Sequence, residues 1–328
     1  MNERTAQIQA VVKIKNIIKQ AKDIAVVSHE NPDGDAIGAL IATEEILSNA
    51  GKNVNVFVAG ALPNRFLYMP FVNMINKTEI KPHYDCVIVL DLSDENRMGE
   101  YKKLLDISQK VIVIDHHKNP KINADVLLSL PQLSSTCEIL YDCLEILDIK
   151  INPSVATALY TGIATDTGCF LFSNTTAHTH YVAAELLKQN IEIEKINFVN
   201  FREFDNENVT PMLYVIKHTK FVCDKSLAVL VLPYSKVKKW NLSHDKRHGL
   251  FKYVTDRKGV LASVFITELK RGEYNVSFRS LGDIDVAKIA EMFGGGGHRN
   301  AAGATVKEPI SKIKKTILKE FETLLSKK

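Results

Sequence analysis

Four short, almost purely apolar runs constrain this chain most: IAVVS at 24–28, VNVFV at 54–58, CVIVL at 86–90 and VIVI at 111–114. Helix-like segments at 35–50, roughly 96–106, 135–148 and 155–165 separate or follow them. A strand without apolar/polar alternation is buried on both faces, which calls for a parallel sheet with helices on each side. An opening helix precedes the first run, with Ile8, Val11, Ile14, Ile18 and Ala21 on one face. Ser135 and Glu138 have the spacing of a capping box for a helix over 136–148.

The pattern changes after this. A polar, helix-like stretch covers 177–208, and strand candidates follow at 219–223, 227–232, 260–267 and 273–279. A helix near 285–293, the run GGGGHRNAAGATV and a basic helix at 309–327 complete the chain. The expected fold is α/β: an N-terminal parallel-sheet domain over 1–190, a helical linker over 191–213 and a smaller C-terminal α/β domain over 214–328. A chain of 328 residues supports two cores.

Composition narrows the functional classes. No stretch approaches the ~18–20 apolar residues of a membrane span, and the N-terminus MNERTAQIQAVVKIKNIIKQ lacks a signal-peptide layout. The five cysteines, at 86, 137, 143, 169 and 223, are odd in number and form no C-x-x-C pair. Reduced thiols in a cytoplasmic protein are expected, with neither a disulfide frame nor a zinc cluster. Charge is uneven: residues 214–328 carry 23 Lys and Arg against 11 Asp and Glu, whereas 1–213 carry 19 against 27. An acidic half suits cations and a basic half suits a polyanion, although solvated lysines would give the same count.

Sites in parallel α/β sheets form at the carboxyl ends of strands. The run at 24–28 leads into His29, Asp33 and Asp35, the run at 86–90 into Asp91, and the run at 111–114 into Asp115, His116 and His117. The helix at 155–165 runs out at Asp166. Each has a plainer reading alone: Asp33-Gly34 as turn chemistry, Asp91 as a helix cap, Asp166 as an ordinary helix end. Together they occupy equivalent topological positions. Carboxylates with a minority of imidazoles favour Mn²⁺ or Mg²⁺ over thiolate zinc. Asp91, on a central strand, is placed to bridge two ions, with His29, Asp33, Asp35, His116 and Asp166 dividing between them. Such a pair suits phosphoester hydrolysis. In the basic half, the glycine run allows backbone amides to form an anion nest, and Arg279 could grip a phosphate.

HENPDGDAIGA (29–39), DLSD (91–94), DHH (115–117) and ATDTG (164–168) resemble, in order, the four motifs of the DHH phosphoesterases. SFRS (277–280) and GGGGHRNAAG (294–303) resemble those of the DHH-associated C-terminal domain. The arrangement is similar to the nanoRNase (oligoribonuclease)/pAp-phosphatase branch, whose members trim very short RNAs to mononucleotides and dephosphorylate 3′-phosphoadenosine 5′-phosphate (pAp). The resemblance implies an active site in the cleft between the domains and two divalent cations, Mn²⁺ foremost, that activate a hydroxide. It implies His29, Asp33 and Asp91 on one ion, and Asp35, Asp91, His116 and Asp166 on the other. His117 would lie beside them or touch the scissile phosphate, and Asp115 would orient the histidines. Arg279, Ser280, Gly295, Gly296, Gly297 and His298 would bind substrate. Ala39 stands where the family often has Ser.

The expected partners are nanoRNA or pAp, with cyclic di-AMP or its linear product pApA as the alternative. A single-strand exonuclease, an inorganic pyrophosphatase and a non-catalytic nucleotide sensor rank lower. No membrane association is expected, and a homodimer is admitted.

Overall fold

Each apolar run becomes a strand of one parallel sheet in the computed structural model, which describes residues 3–204 and 206–325, apart from the side chains of 3, 244, 245, 248 and 298. The chain forms two compact units, Met1–Glu203 and Phe204–Lys328.

In the first unit, α1 (Glu3–Gln20) leads into β1 (Asp23–Val27), α2 (Gly34–Asn49), β2 (Asn53–Phe57), β3 (Tyr84–Leu90) and β4 (Ser108–Asp115). A short β5 (Val126–Ser129), not expected from the sequence, extends the sheet to the order β2-β1-β3-β4-β5, with every pair parallel. Ile24, Val26 and Ile88 bury into one core with Ile37, Leu40 and Ile41 of α2. Ala25, Val27, Val87 and Val89 bury into another with Met98 and Leu104. Two cores explain why these strands do not alternate.

The strand order reverses between β1 and β3. The chain leaving β1 enters α2 on one face, and the chain leaving β3 packs Met98 on the other. This divergence opens a crevice at the strands' carboxyl ends. The Ser28 hydroxyl donates to Leu90 O at 2.8 Å and ties the two strand ends together.

Three local expectations are corrected. The segment expected as a helix at 96–106 is a 3₁₀ stretch, Glu95–Lys103, kinked at Gly99 (φ 56°), followed by the short α3 (Leu104–Ile107). Ser135 caps α4 (Thr136–Ile146) by accepting the Glu138 N–H at 3.1 Å, but the box is not reciprocal. The Glu138 carboxylate instead accepts from the Ser134 N–H at 2.8 Å and from the Ser134 and Thr179 hydroxyls. The buried face of α1 begins at Val11, because Ile8 is 40% exposed.

Helix α5 (Pro153–Asp166) crosses α2 closely enough to require glycine. A Cβ at Gly38 would collide with the Ala158 carbonyl oxygen, and one at Gly162 would meet Cys137 Sγ and, at 2.8 Å, Asp35 Oδ1. Helices α6 (Ala177–Leu187) and α7 (Ile193–Asn197) and a π turn at Phe198–Arg202 end the unit.

The second unit begins with α8 (Val209–His218), followed by β6 (Lys220–Val222), β7 (Leu227–Leu232), α9 (Tyr234–Lys239), α10 (His244–Thr255), β8 (Ala262–Lys270) and β9 (Glu273–Ser280). Then come α11 (Ala287–Glu291), β10 (Gly296–His298), β11 (Ala301–Val306) and α12 (Ile310–Leu325). The sheet runs β10-β11-β9-β8-β7-β6, with β7 and β8 parallel. Alternate residues Tyr274, Val276 and Phe278 of β9 are buried, as are Ile313, Ile317 and Phe321 of α12. Helix α8 begins within the stretch expected as a helical linker and runs on to His218, whereas α9 and α10 are not evident from the sequence because charged residues interrupt their apolar spacing. Trp240 packs edge-on against Tyr214, 5.3 Å between ring centroids, within its own unit. No helix among the described residues is long and apolar enough to cross a membrane.

The crossing at Gly38 makes a definite demand. Gly38→Ala should destabilise the first unit by about 2 kcal/mol through overpacking, read as a lower urea midpoint by circular dichroism. An unchanged midpoint would show that the helices can part without cost.

Candidate metal centre

The tip of β1 contributes His29, and the turn after it contributes Asp33 and Asp35. Asp33 is the N-cap of α2: its Oδ1 accepts from the N–H groups of Asp35 (3.0 Å) and Ala36 (3.1 Å), which leaves Oδ2 for a ligand. The same carboxylate therefore serves as turn residue and candidate ligand. His29 Nδ1 lies 2.8 Å from Glu30 O. With Nδ1 donating there, Nε2 keeps its lone pair, and this is the atom that faces Asp91 Oδ2 at 3.6 Å. Arg97 Nη2, 3.0 Å from the same Nδ1, could donate to it only in the other tautomer.

Asp91 follows β3 in the left-handed region (φ 53°) and is 2% exposed. One oxygen faces His29, and the other faces His116 Nε2 at 3.5 Å and His117 Nδ1 at 3.6 Å. His116 also lies 3.4 Å from Asp166 Oδ2, at the end of α5. Asp115, wholly buried, accepts from His117 Nδ1 at 2.7 Å, and its Oδ2 has no hydrogen-bond partner among the described residues. All eight residues expected at the metal site or beside it are thus brought together. Donor atoms of His29, Asp33 and Asp91 lie within 4.8 Å of one another, as do those of Asp35, His116 and Asp166 and those of Asp91, His116 and His117.

Helix α4 completes the site, a contribution that sequence reasoning missed. Its first-turn amides meet Asp35: Thr136 N–H at 2.7 Å and Cys137 N–H at 2.9 Å, one on each oxygen. The Thr136 hydroxyl donates to Asp91 Oδ1 at 3.1 Å. In the sequence the SST run marks only the start of a helix; that its N-terminus, which favours anions, faces Asp35 follows from where the helix docks.

The electrostatics call for a cation. At 4.8 Å and an effective dielectric near 20, two carboxylates repel by about 3–4 kcal/mol. Burial and then the charges of Asp91 and Asp33 push the Asp35 pKa well up, and burial with the charges of Asp35, Asp33 and Asp91 does the same to Asp166. Burial also acts to raise Asp91, but the His29 contact and the His116 and His117 charges hold it below the usual carboxylate range. Burial acts to lower His117, yet Asp115 and Asp91 lift it to about 9. Without metal, that interaction contributes fully below the unfolded value of about 6.5 and is lost as pH rises through about 9. Oxygen-rich donors with imidazoles and two carboxylates crowded by like charge fit divalent cations.

The candidate substrate residues lie in the second unit. Arg279, which burial shifts downward, donates from Nη1 to Phe278 O at 2.9 Å and lies 5.4 Å from the centroid of the Phe251 ring. It pairs in register with Ala301, which pairs in turn with His298, so all three share one row of the sheet. The His298 side chain lies outside the described residues. Ser280 Oγ donates to Ile284 O at 2.6 Å and accepts from Asn300 Nδ2 at 3.0 Å. The amides of Gly294 and Gly295 bond to Glu291 O and Ala290 O at 2.9 Å each. Those two amides close α11 rather than an open nest, while Gly296 and Gly297 run on into β10.

Comparison with known proteins gives a family match over both units. The model described as "DHH family, N-terminal domain" matches residues 23–163, and that of the "DHHA1 domain" matches 224–327. The bifunctional oligoribonuclease and PAP phosphatase NrnA of Mycoplasma genitalium is 31% identical, over 95% of this chain and 98% of its own. The cyclic-di-AMP phosphodiesterase GdpP of Bacillus subtilis is 26% identical over 98% of this chain but 52% of its own. A crystal structure of an exopolyphosphatase-related protein from Bacteroides fragilis superposes with a TM-score of 0.90 at 26% identity, covering 97% of this chain and 98% of its own.

Charge crowding predicts opposite effects with and without metal. Metal-free Asp166→Asn should be at least as stable as metal-free wild type, having lost a repelling charge. Mn²⁺ at about a hundred times its Kd should add ~2.7 kcal/mol for each of the two sites of the wild type, a rise of roughly 10–20 °C in Tm, and markedly less to the variant. Calorimetry with and without MnCl₂ checks this, and equal shifts would remove Asp166 from the site.

Proposed function

Because the chain belongs to the DHH family of phosphoesterases and is a hydrolase, we propose that it trims very short oligoribonucleotides to mononucleotides and converts pAp to AMP. The observation that carries the reading is the division of Asp91, one oxygen toward His29 and the other toward His116. A shared carboxylate of this kind is what a two-cation phosphoesterase needs. The similarity of nearly the whole chain to an oligoribonuclease and PAP phosphatase supports the substrate class.

In this reading His29, Asp33 and Asp91 hold one cation, and Asp35, Asp91, His116 and Asp166 hold the other, Mn²⁺ being the ion that best suits the donors. Bound cations supply Lewis acidity and lower the pKa of a coordinated water. The chain's own groups do the remaining work. Thr136 and Cys137 fix the Asp35 carboxylate, and the Thr136 hydroxyl fixes one oxygen of Asp91. Asp115 anchors His117 through Nδ1, so that Nε2 is presented to a phosphoryl or leaving-group oxygen and can hold a proton there. Arg279, Ser280, Gly295, Gly296, Gly297 and His298 contribute to nucleotide binding. The enzyme is read as cytoplasmic.

Similarity to a cyclic-di-AMP phosphodiesterase across 98% of this chain supports a second reading, hydrolysis of cyclic di-AMP or pApA. A panel in Mn²⁺ separates the two: pAp, a diribonucleotide, a long single-stranded RNA, pApA and cyclic di-AMP, each followed by chromatography of the released mononucleotide. Turnover of pAp and the dinucleotide well above the long strand is expected. Turnover confined to cyclic di-AMP would replace the first reading with the second.

A further inference from the structure

We propose that Phe172, flanked by Leu171, is the surface on which a nucleobase of the substrate stacks. The proposal rests on the nucleotide-phosphoesterase reading and adds a base subsite within the first unit.

Leu171 and Phe172 are 83% and 59% exposed, although both are large apolar residues. They sit on a turn that leaves the candidate ligand Asp166 and passes through three consecutive left-handed residues: Gly168 (φ 57°), Cys169 (φ 59°) and Phe170 (φ 65°). Two of the three bear side chains, so the turn is strained, and strain that the surroundings enforce concentrates at functional sites.

The surroundings do enforce it. Phe170 turns inward and stacks on His180, 5.1 Å between centroids. The amides of Leu171 and Phe172 both donate to Thr167 O at 3.0 Å. Asn174 Nδ2 bridges Asp166 O at 3.2 Å and Ser134 O at 3.1 Å, and so ties the far side of the turn to the metal-site backbone.

Phe172 then folds back. Its ring fills the position of a Gly168 side chain, with ring atoms 2.5–2.7 Å from where that Cβ would stand. Two peptide units separate Gly168 from Asp166, so their Cα atoms are at most about 7.6 Å apart. The ring is thus held within one nucleotide's reach of the metal centre, with more than half of the residue's surface open. Exposed aromatic rings are sequence-tolerant stacking surfaces for bases. A platform of this kind suits an enzyme whose substrates share a nucleotide unit and differ in sequence.

The test compares pAp with its abasic counterpart, in which hydrogen replaces adenine, using Mn²⁺-loaded protein. Wild type should prefer pAp in kcat/KM by roughly tenfold, the scale of one base stack. Phe172→Ala should abolish that preference, and Phe172→Trp should restore it. A preference unchanged in Phe172→Ala overturns the proposal, and a simultaneous change of oligomeric state on size exclusion would mark the turn as a subunit contact instead.

Binding is read independently of turnover. AMP should quench the fluorescence of Phe172→Trp beyond the quenching that Trp240 gives in the wild type, and the absence of extra quenching overturns the platform. Extra quenching in a protein that hydrolyses no nucleotide would retain the platform and refute the proposed function.

Discussion

Asp91 is the constraint on which the rest of the first unit depends. It is a buried carboxylate in a left-handed backbone conformation, facing histidines from the tips of both neighbouring strands. A buried charge is tolerated only when it is paired and hydrogen-bonded. The surrounding fold supplies those partners: His29 from β1, His116 and His117 from β4, and Thr136 from α4. The reversal of strand order between β1 and β3 is what opens the space that they share. Glycines at 38 and 162 let α2 and α5 approach until Asp35 and Asp166 reach the same crevice.

Histidines alone do not balance this site. Asp35 and Asp166 remain crowded by charge, and the fold places no lysine in an ion pair with them among the described residues. The imbalance is the useful property, since it leaves divalent cations as the natural completion. The distribution of charge along the chain is consistent with the same chemistry. The unit that concentrates carboxylates is acidic, and the unit with Arg279 and the glycine run is basic.

The metal-site side chains were legible in the sequence because their setting is repetitive. Four non-alternating apolar runs define parallel strands, and the residues beyond three of those strands carry His or Asp. Contributions from backbone geometry were not legible. Nothing in the letters SST shows that α4 aims two amides at Asp35, because that depends on where the helix docks. The 3₁₀ stretch at Glu95–Lys103 was read as a helix because its charged residues suit one, while Gly99 adopts a conformation that breaks it. Phe172 is not marked out in the sequence because the run CFLF at 169–172 reads as core packing. Its exposure comes from a turn through three left-handed residues, Gly168, Cys169 and Phe170, which folds the ring back over Gly168 and leaves it open to solvent.

The central claim is that one shared carboxylate joins two cation sites. Titration of metal-free protein with Mn²⁺ by isothermal calorimetry tests it most directly, on wild type and on Asp91→Asn. Two ions per chain should bind to the wild type, and both should weaken together in the variant. A single ion in the wild type, or loss of one site with the other intact, would contradict the account.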